Sequence, residues 1–558
     1  MTESRRDRNW ALVALGLAVL INLVAIDQPL MGGDATLYSS VAAAMVRRGD
    51  YLSLYAWGRD WLDKPHLPFW LTAASFRLFG ISAWSYRLPG FLAIIGAAWF
   101  TFRLGTRFHG RATGIWAAAI LLTAQHTILS SADVRAEPYV ALFIVASTWY
   151  LVRVAEDERW LGASLGCGVF MAAAMISKGP FTIIPILGAL GGHWMLHRRP
   201  PIQWRRWLVV ALVAAIGITP ELWALYAQFD RHPDKLILGR TGVSGIRFFF
   251  WDSQFGRFLG TGPIRQSDWS PLYFVHTLLW VFLPWSAALI LAMVRRVRIL
   301  RAREARSVEW YTVAGAGVMF VVFSLSKFQL PYYLNITFPF LAILTAAEFT
   351  NRTSAAEIGV LDRAQNAVVV IMVIFAGILG LLVRPVGASG AMGVAILLVF
   401  TMPVVRSAVD NPRTGIIVTS ILAAVSVNLY IERGIYPTLS TYDGEPVASA
   451  WVNEHYPGAT VVVPRDGQVA SFAFSLGREP VYVDRLADTA TVTTRPYLIL
   501  INGDAHQAPD PRTIRSFDHF HVSRPTIGFL NQRTRRESLR RLDLVLVGTV
   551  PARPAGVR

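Results

Sequence analysis

The sequence predicts an all-α polytopic membrane bundle of about 13 transmembrane helices, followed by a C-terminal periplasmic α/β domain. Three observations predict this fold class. The 558 residues are 54% hydrophobic and only 16% charged, whereas a soluble domain carries about 25% charged residues. The apolar residues fall in blocks of about 18–22 residues, long enough for a helix to cross a ~30 Å hydrocarbon core. After about residue 432 the long blocks give way to short β-rich runs.

Apolar blocks define the predicted spans. The first one follows Arg5, Arg6 and Arg8, is too long for a signal-peptide core, and is therefore predicted to be retained in the membrane. The predicted spans are 10–29, 85–103, 113–131, 137–155, 161–176, 179–196, 207–227, 272–294, 308–325, 332–348, 366–384, 388–407 and 414–432.

Basic residues set the predicted orientation. The net charge is +17, but the arginines lie in short clusters between apolar blocks, a pattern typical of polytopic membrane proteins and not of nucleic-acid-binding ones. Arginine clusters at 103–111, 198–206 and 295–306 are predicted to be cytoplasmic. The long loops 30–84 and 228–271 then lie outside. With an odd number of spans, the N-terminus is inside and the tail from about 433 is outside.

The predicted domains are therefore a transmembrane domain over 1–432 and a periplasmic α/β domain over 433–558. Within the tail, strands are expected at 459–463, 480–483, 497–501 and 543–549, and a helix at 446–456. The chain has one cysteine, Cys167, so no internal disulfide can form.

Polar residues in the first outer loop have two interpretations each. Asp34 follows Gly33 at the start of a helical pattern, where it can cap the helix or act as a general base at the membrane boundary. Lys64 can form a simple ion pair with Asp63 or bind a phosphate as a point charge. Asp63 and His66 are also a weak candidate pair of metal ligands.

The other outer turns add two carboxylates and two cations. Asp133, Arg135 and Glu137 lie at the mouth of two spans, either as a self-satisfied cluster or as part of a site. Lys178 and Lys327 each stand in a short outer turn. The chain has only four lysines, and all four are predicted to lie outside, which favours a functional role over simple snorkelling.

Several motifs in fixed order carry a resemblance to a known family. The chain resembles the bacterial aminoarabinose-transferase-like glycosyltransferases, relatives of the protein O-mannosyltransferases in the polytopic GT-C class, over about residues 10–350. The motifs are Gly33-Asp34 to Tyr38, Asp63-Lys64-Pro65, Asp133-Val134-Arg135 with Glu137, Ser177-Lys178-Gly179-Pro180, His276-Thr277-Leu278-Leu279-Trp280, Leu283-Pro284-Trp285 and Ser326-Lys327-Phe328-Gln329-Leu330-Pro331.

The resemblance implies a GT-C fold in the bacterial inner membrane and an inverting transfer of a sugar. The donor it implies is a polyprenyl-phosphate sugar, and the acceptor is lipid A, a polysaccharide or a protein in the periplasm. Asp34 and Glu137 are the implied catalytic residues. No cofactor is assured, a divalent metal stays open, and membrane lipids but no nucleic acid are expected partners. The implied donor-binding residues are Tyr38, Asp63, Lys64, Arg135, Lys178, Lys327, Tyr332 and Tyr333.

Two other functions stay open at this point. A transporter or flippase of lipid-linked sugars would also place polar residues in a polytopic bundle, but it predicts charges near the midplane and paired repeats. An oligosaccharide polymerase or ligase differs only in the acceptor and in the length of the donor.

Overall fold

A computed structural model describes the chain over residues 5–30, 33–156, 159–197, 202–264, 269–352, 354–386, 389–465, 470–492, 496–502, 511–520 and 525–548. Arg198 and Arg199, part of the arginine cluster 198–206 that is predicted to be cytoplasmic, lie outside these residues.

The described part of the chain is mainly helical. Its α-helices are α1 (Arg5–Val24), α2 (Asp34–Arg48), α3 (Leu67–Phe79), α4 (Ala83–His109), α5 (Arg111–Thr123), α6 (Gln125–Ala132), α7 (Glu137–Glu156), α8 (Trp160–Lys178), α9 (Ile183–Leu196), α10 (Trp204–Gly217), α11 (Thr219–Leu225), α12 (Gly245–Arg247), α13 (Arg257–Leu259), α14 (Tyr273–Val281), α15 (Ser286–Arg301), α16 (Tyr311–Leu325), α17 (Phe338–Asn351), α18 (Ala355–Val383), α19 (Ser389–Ala408), α20 (Pro412–Tyr430), α21 (Tyr436–Ser440), α22 (Gly444–His455), α23 (Ala470–Ser475) and α24 (Ile527–Leu530).

Within the described residues, nine helices are long and apolar enough to cross a membrane, and the bent pair α5–α6 makes up to ten. Two further apolar helices, Pro180–Leu196 and Tyr311–Leu325, are shorter than the 18 residues required of a candidate span. A multi-pass membrane protein is thus confirmed, whereas a count of 13 is not.

One helix is longer than its predicted span. Helix α18 begins at Ala355, although the apolar block was expected to begin at 366. Its first turns carry Glu357 and Asp362, and polar turns of this kind are invisible to a search for apolar blocks. The Ser354 hydroxyl caps the helix by accepting a hydrogen bond from the Glu357 N–H at 3.2 Å.

Burial separates central helices from peripheral ones. The segment Pro331–Asn351, which ends in α17, is 89% buried over its most apolar window, and Pro412–Ser440, which contains α20, is 83% buried. The corresponding window of α19 is only 11% buried. Because lipid tails are as apolar as leucine, an apolar helix with little protein contact is typical of a bilayer-facing position.

The tail contains a five-stranded mixed sheet. Its strands are Thr460–Pro464, Val481–Val483, Tyr497–Asn502, Pro511–His519 and Arg540–Val547.

In chain order these five strands are β3 to β7, and the first-loop hairpin is β1 (Tyr55–Ala56) and β2 (Arg59–Asp60). Their order in the sheet is β4–β3–β5–β7–β6. Strand β3 pairs in parallel with β4 and β5, whereas β7 pairs antiparallel with β5 and β6.

The predicted strands are close to the observed ones, and the predicted helix 446–456 corresponds to α22. Strand β6 (Pro511–His519) was not predicted. It is the edge strand beside β7 and alternates charged residues such as Arg512, Arg515 and Asp518 with less polar ones. Charged side chains are common on edge strands, where they discourage pairing with another chain, and they hide the strand from a search for β-rich apolar runs.

The tail packs on the first outer loop. The Ser40 hydroxyl of α2 donates a hydrogen bond to the Ala470 carbonyl at 3.2 Å, and the rings of Phe76 and Phe474 lie 6.3 Å apart. The Arg465 guanidinium donates to the Trp57 carbonyl at 2.9 Å. The tail and the first outer loop are therefore on the same side of the helical bundle.

Candidate active site

A cavity of about 480 Å³ lies where the first outer loop meets the ends of several helices and the loop 228–271. Most of its wall is aromatic or aliphatic, and its charged groups gather at one end of the helices. The charged or phenolic residues that line it are Tyr38, Asp63, Lys64, Arg135, Glu137, Lys178, Glu221, Arg257, Tyr332 and Tyr333. Eight of the ten predicted site residues are in this lining, and Asp34 contacts it through Arg135.

Asp63 lies between two cations at the cavity wall. The Lys64 ammonium is 3.0 Å from one carboxylate oxygen, and the Arg257 guanidinium donates a short hydrogen bond to the other. Burial raises the pKa of the Asp63 carboxyl, but the charges of Lys64 and Arg257 outweigh it, and the pKa is lowered overall. One carboxylate balances only one of the two cations, so this part of the cavity has one positive charge in excess.

The opposite charge balance holds around Arg135. Its guanidinium donates to Asp34 at 2.7 Å and to Asp133 at 2.6 Å, so two carboxylates share one cation. It also lies 4.2 Å from the centre of the Tyr332 ring, and the Tyr332 hydroxyl donates to Asp34 at 3.4 Å. Asp34 is therefore held by two side chains in a region with one negative charge in excess.

The structure does not show the capping interaction expected for Asp34. Gly33 occupies the N-cap of α2 with φ +94°, and no side chain caps that helix end. Asp34 is the first residue of the helix, and its carboxylate contacts Arg135 and Tyr332 instead of the helix N–H groups. Asp34 therefore does not cap α2, although an acid in the first helical turn still has a favourable interaction with the helix dipole.

Glu137 and Lys178 form a buried ion pair between the start of α7 and the end of α8. Their side chains are 3% and 9% exposed, and the ammonium donates a short hydrogen bond to the carboxylate. The ammonium also lies 4.3 Å from the centre of the Tyr333 ring. After Lys178 comes Gly179 with φ +125°, where a Cβ would overlap the side-chain amide of Gln254. Glycine thus lets the loop 228–271 approach the pair.

Tyr38 packs within the first outer loop with its ring edge towards Phe69, 5.5 Å between ring centres, and 6.1 Å from Trp61. Burial and the nearby Asp34 charge raise the pKa of its hydroxyl well above the usual value. Tyr38 is therefore a neutral phenol at the cavity wall.

The contacts of Asp63 and His66 do not fit a metal site. Both Asp63 oxygens contact cations, as described above. His66 is fully buried, with Nδ1 3.1 Å from Glu221 and Nε2 3.1 Å from the Leu52 carbonyl. Each polar side-chain atom of the two candidate ligands thus already has a protein partner.

Two lysines lie away from the cavity lining. Lys327 is exposed, and its backbone N–H donates to the Phe258 carbonyl at 3.0 Å. Lys235 pairs with Asp60 at 3.1 Å. The structure therefore does not bring Lys327 to the predicted donor-phosphate position.

Arg257 is the site residue that the sequence reasoning missed. It lies in the loop 228–271, next to Phe258, and the reasoning looked for lysines because arginine is the default cation of this chain. The signal that could have found it is an arginine inside an aromatic run of an outer loop. Its partner Asp63 is 194 residues away, so no local pattern links them.

Comparisons with known proteins agree with this fold. Residues 63–223 match the dolichyl-phosphate-mannose-protein mannosyltransferase family. An undecaprenyl phosphate-alpha-4-amino-4-deoxy-L-arabinose arabinosyl transferase from Pseudomonas fluorescens is 26% identical over 62% of this chain and 58% of its own length. The Pseudomonas aeruginosa transferase of the same description is 27% identical over 59% and 57%. The match thus spans less than two thirds of these relatives.

Among solved structures, ArnT from Cupriavidus metallidurans bound to undecaprenyl phosphate is similar to the chain with a TM-score of 0.71 and 17% identity. The match covers 96% of this chain and 98% of that one. At this identity the likeness is evidence of fold alone. Together the comparisons confirm the predicted resemblance: the chain is a multi-pass inner-membrane protein with the GT-C fold, similar to glycosyltransferases of the aminoarabinose-transferase type.

Proposed function

We propose that this protein is an integral-membrane glycosyltransferase that moves a sugar from a polyprenyl-phosphate donor to a periplasmic acceptor with inversion. The observation that carries the proposal is the charge separation in one apolar-walled cavity. Lys64 and Arg257 share one carboxylate at one position, and Asp34 and Asp133 share one guanidinium at another. The names of the relatives, transferases that use an undecaprenyl phosphate sugar, support the same donor class.

The donor phosphate binds at the excess positive charge. Lys64 supplies a point charge, and Arg257 supplies a planar fork that suits phosphate oxygens. Burial and the neighbouring Arg257 charge lower the pKa of the Lys64 ammonium, and the anionic phosphodiester of the donor at this position would favour its charged form. The aromatic wall, which includes Phe181, Phe249 and Phe323, accommodates the first part of the prenyl chain.

The acceptor approaches from the side of Asp34. When the acceptor is a hydroxyl group, Asp34 takes its proton as the oxygen attacks the anomeric carbon, a contribution of typically ~10²–10⁴-fold. The bond between the anomeric carbon and the phosphate oxygen breaks, and the electron pair leaves with the polyprenyl phosphate. Fixed cations next to the departing phosphate stabilise the charge that develops there. A phosphate acceptor on lipid A is already anionic and needs only orientation.

The acceptor itself stays within the three classes that the resemblance implies: lipid A, a polysaccharide or a protein. Glu137 contributes by holding Lys178 in place, and it is the next candidate for the base. The steps above are written without a divalent metal, whose role stays open, and the candidate ligands Asp63 and His66 contact protein partners.

We further propose a periplasmic site and 13 membrane crossings. Beyond the nine long helices and the bent pair α5–α6, the shorter segments Pro180–Leu196 and Tyr311–Leu325 and the pair α14–α15 supply three more. The arginine clusters support a cytoplasmic N-terminus. The tail packs on the first outer loop, which supports a periplasmic tail domain that begins after α21.

The transporter alternative is not favoured. It requires charged groups near the midplane at broken helices, whereas the ion pairs of this cavity lie at the start of α7 and the end of α8.

The test is transfer by purified Asp34→Asn protein with a defined polyprenyl-phosphate sugar and candidate acceptors. Asparagine keeps the size of the side chain and loses its charge. We expect transfer to a hydroxyl acceptor to fall by about 10²-fold or more, with the protein still folded in detergent. Asp27→Asn is the matched control, because Asp27 is 61% exposed beyond the end of α1 and pairs with Arg433. Near-normal transfer by Asp34→Asn would remove Asp34 as the base and make Glu137 the leading candidate.

A further inference from the structure

A second cavity, of about 620 Å³, lies at the opposite ends of the same helices. Glu156 at the end of α7 and Tyr311 at the start of α16 line it, whereas Glu137 and Phe323 of these two helices line the candidate active site. The 19 steps from residue 137 to residue 156 span about 28 Å at a rise of 1.5 Å each. The two cavities are therefore separated by about the thickness of a bilayer core.

Most charges in this cavity are already paired. Arg107 pairs with Glu156 at 3.1 Å, and Arg296 pairs with Glu309 at 2.7 Å. Glu348 accepts a short hydrogen bond from Arg352. Each of the three lining glutamates thus has its own arginine.

Two further arginines remain at the wall. Arg295 has a buried Nη1 atom that finds no hydrogen-bond acceptor among the described residues, and its nearest carboxylate, on Glu348, is 3.8 Å away. Arg306 is exposed at the rim, and no ion pair is found for it in the described part of the chain. Two guanidinium groups with unused donors are a fitting pair for a phosphate, which accepts hydrogen bonds in a forked geometry.

A stack of rings forms one side of the cavity. The His197 and His193 rings are 4.0 Å apart, His193 and Tyr311 are also 4.0 Å apart, and Tyr311 stacks on Phe108 at 5.3 Å. The stack holds the ends of α4, α9 and α16 together. The cavity is therefore a built space with a fixed wall.

An apolar stripe runs along α15, the helix that carries Arg295. Arg295 and Ile299 line the cavity. On the neighbouring face of the helix, large apolar side chains are exposed at helical spacing: Ile290, Met293, Val294, Val297 and Leu300. A ligand whose phosphate contacts Arg295 can lay apolar chains along this stripe.

We propose that this cavity binds the phosphate group of an anionic glycerophospholipid, with the acyl chains along α15. Arg295 and Arg306 bind the phosphate. Basic pockets between transmembrane helices on the cytoplasmic side are known to bind such headgroups, and six arginines lie between 295 and 306 at this end of the bundle. The inference does not depend on the reaction at the other cavity.

The experiment measures the affinity of purified full-length protein for short-chain phosphatidylglycerol, from the rise of its thermal unfolding midpoint with ligand concentration. Phosphatidylcholine of the same chain length and inorganic phosphate are the other two ligands. We expect the wild-type protein to bind phosphatidylglycerol at least tenfold more tightly than either. In the Arg295→Gln/Arg306→Gln protein this affinity falls at least tenfold, and in the Arg298→Gln control, exposed on the same helix outside the cavity, it stays within twofold.

Each other result overturns a stated part of the proposal. Equal affinity for inorganic phosphate would assign the site to free phosphate and remove the lipid. An equal loss in Arg298→Gln, or no loss in the double variant, would remove the site. Should the double variant fail to fold, Arg306→Gln alone is measured, because Arg306 is exposed. The affinity of this variant for phosphatidylglycerol has to be at least threefold lower than that of the wild-type protein.

Discussion

The buried pair of Glu137 and Lys178 gives a sharp test of the donor site. Glu137→Gln removes the carboxylate and leaves the Lys178 ammonium, 9% exposed, with the Tyr333 ring at 4.3 Å as its remaining close partner. Removal of one partner of a buried pair costs about 3–5 kcal/mol, because the remaining charge stays buried. We expect the Glu137→Gln protein to be destabilised by this amount. The Glu137→Gln/Lys178→Met protein should regain most of the loss, because it has no stranded charge.

The measurement that tests the donor site repeats the unfolding experiment with polyprenyl phosphate, the leaving group of the donor. Polyprenyl phosphate at a hundred times its Kd stabilises a binding protein by about 2.7 kcal/mol. If Lys178 faces the phosphate, the gain is larger in Glu137→Gln than in wild type, because the phosphate replaces the missing carboxylate. Thermal unfolding in detergent, with and without polyprenyl phosphate, measures both quantities. The double variant is the matched control, with a smaller gain than wild type. Equal gains in all three proteins would refute a role for Lys178 in phosphate binding.

The remaining predictions concern other parts of the chain. Lys64→Ala should raise the apparent donor KM or abolish turnover while the protein still inserts, and Lys64→Arg should rescue it only in part; full activity of the alanine protein would exclude it from the site. A reporter that works only outside the cytoplasm should be active after Asp34 or after about 440 and silent after Arg199, and activity after Arg199 would overturn the orientation. In the tail, burial and then Asp443 raise the pKa of Glu445 to about 8 from 4.5, so this group makes the protein lose stability as pH rises from about 4.5 to 8, by roughly 1.4 kcal/mol per pH unit at most. The unfolding midpoint of Glu445→Gln should change less over pH 5–8, and an unchanged slope would contradict the assignment.

The sequence predicted the helices and most of the cavity because both leave local signals. Apolar blocks mark helices, and Lys64 and Lys178 stood out as rare lysines in outer turns. The residues that they and Asp34 contact could not be predicted from such local signals. The link from Asp34 to Arg135 spans 101 residues, and only the folded chain shows that Arg135 holds Asp34. The exposed position of Lys327 was hidden for the same reason, since it depends on how the loop 228–271 packs.

The docking of the tail on the first outer loop has a consequence for biogenesis. Asp34 begins α2, and α2 is held from outside by α23, whose Ala470 follows its contact Ser40 by 430 residues. At about 5–20 residues per second, a ribosome needs roughly 20–90 s to make the intervening chain. The loop that carries Asp34 is thus made early and lacks this support until the tail has been made. Completion of the candidate active site is therefore tied to synthesis of α23, and a chain truncated before α23 would lack the contact that supports α2.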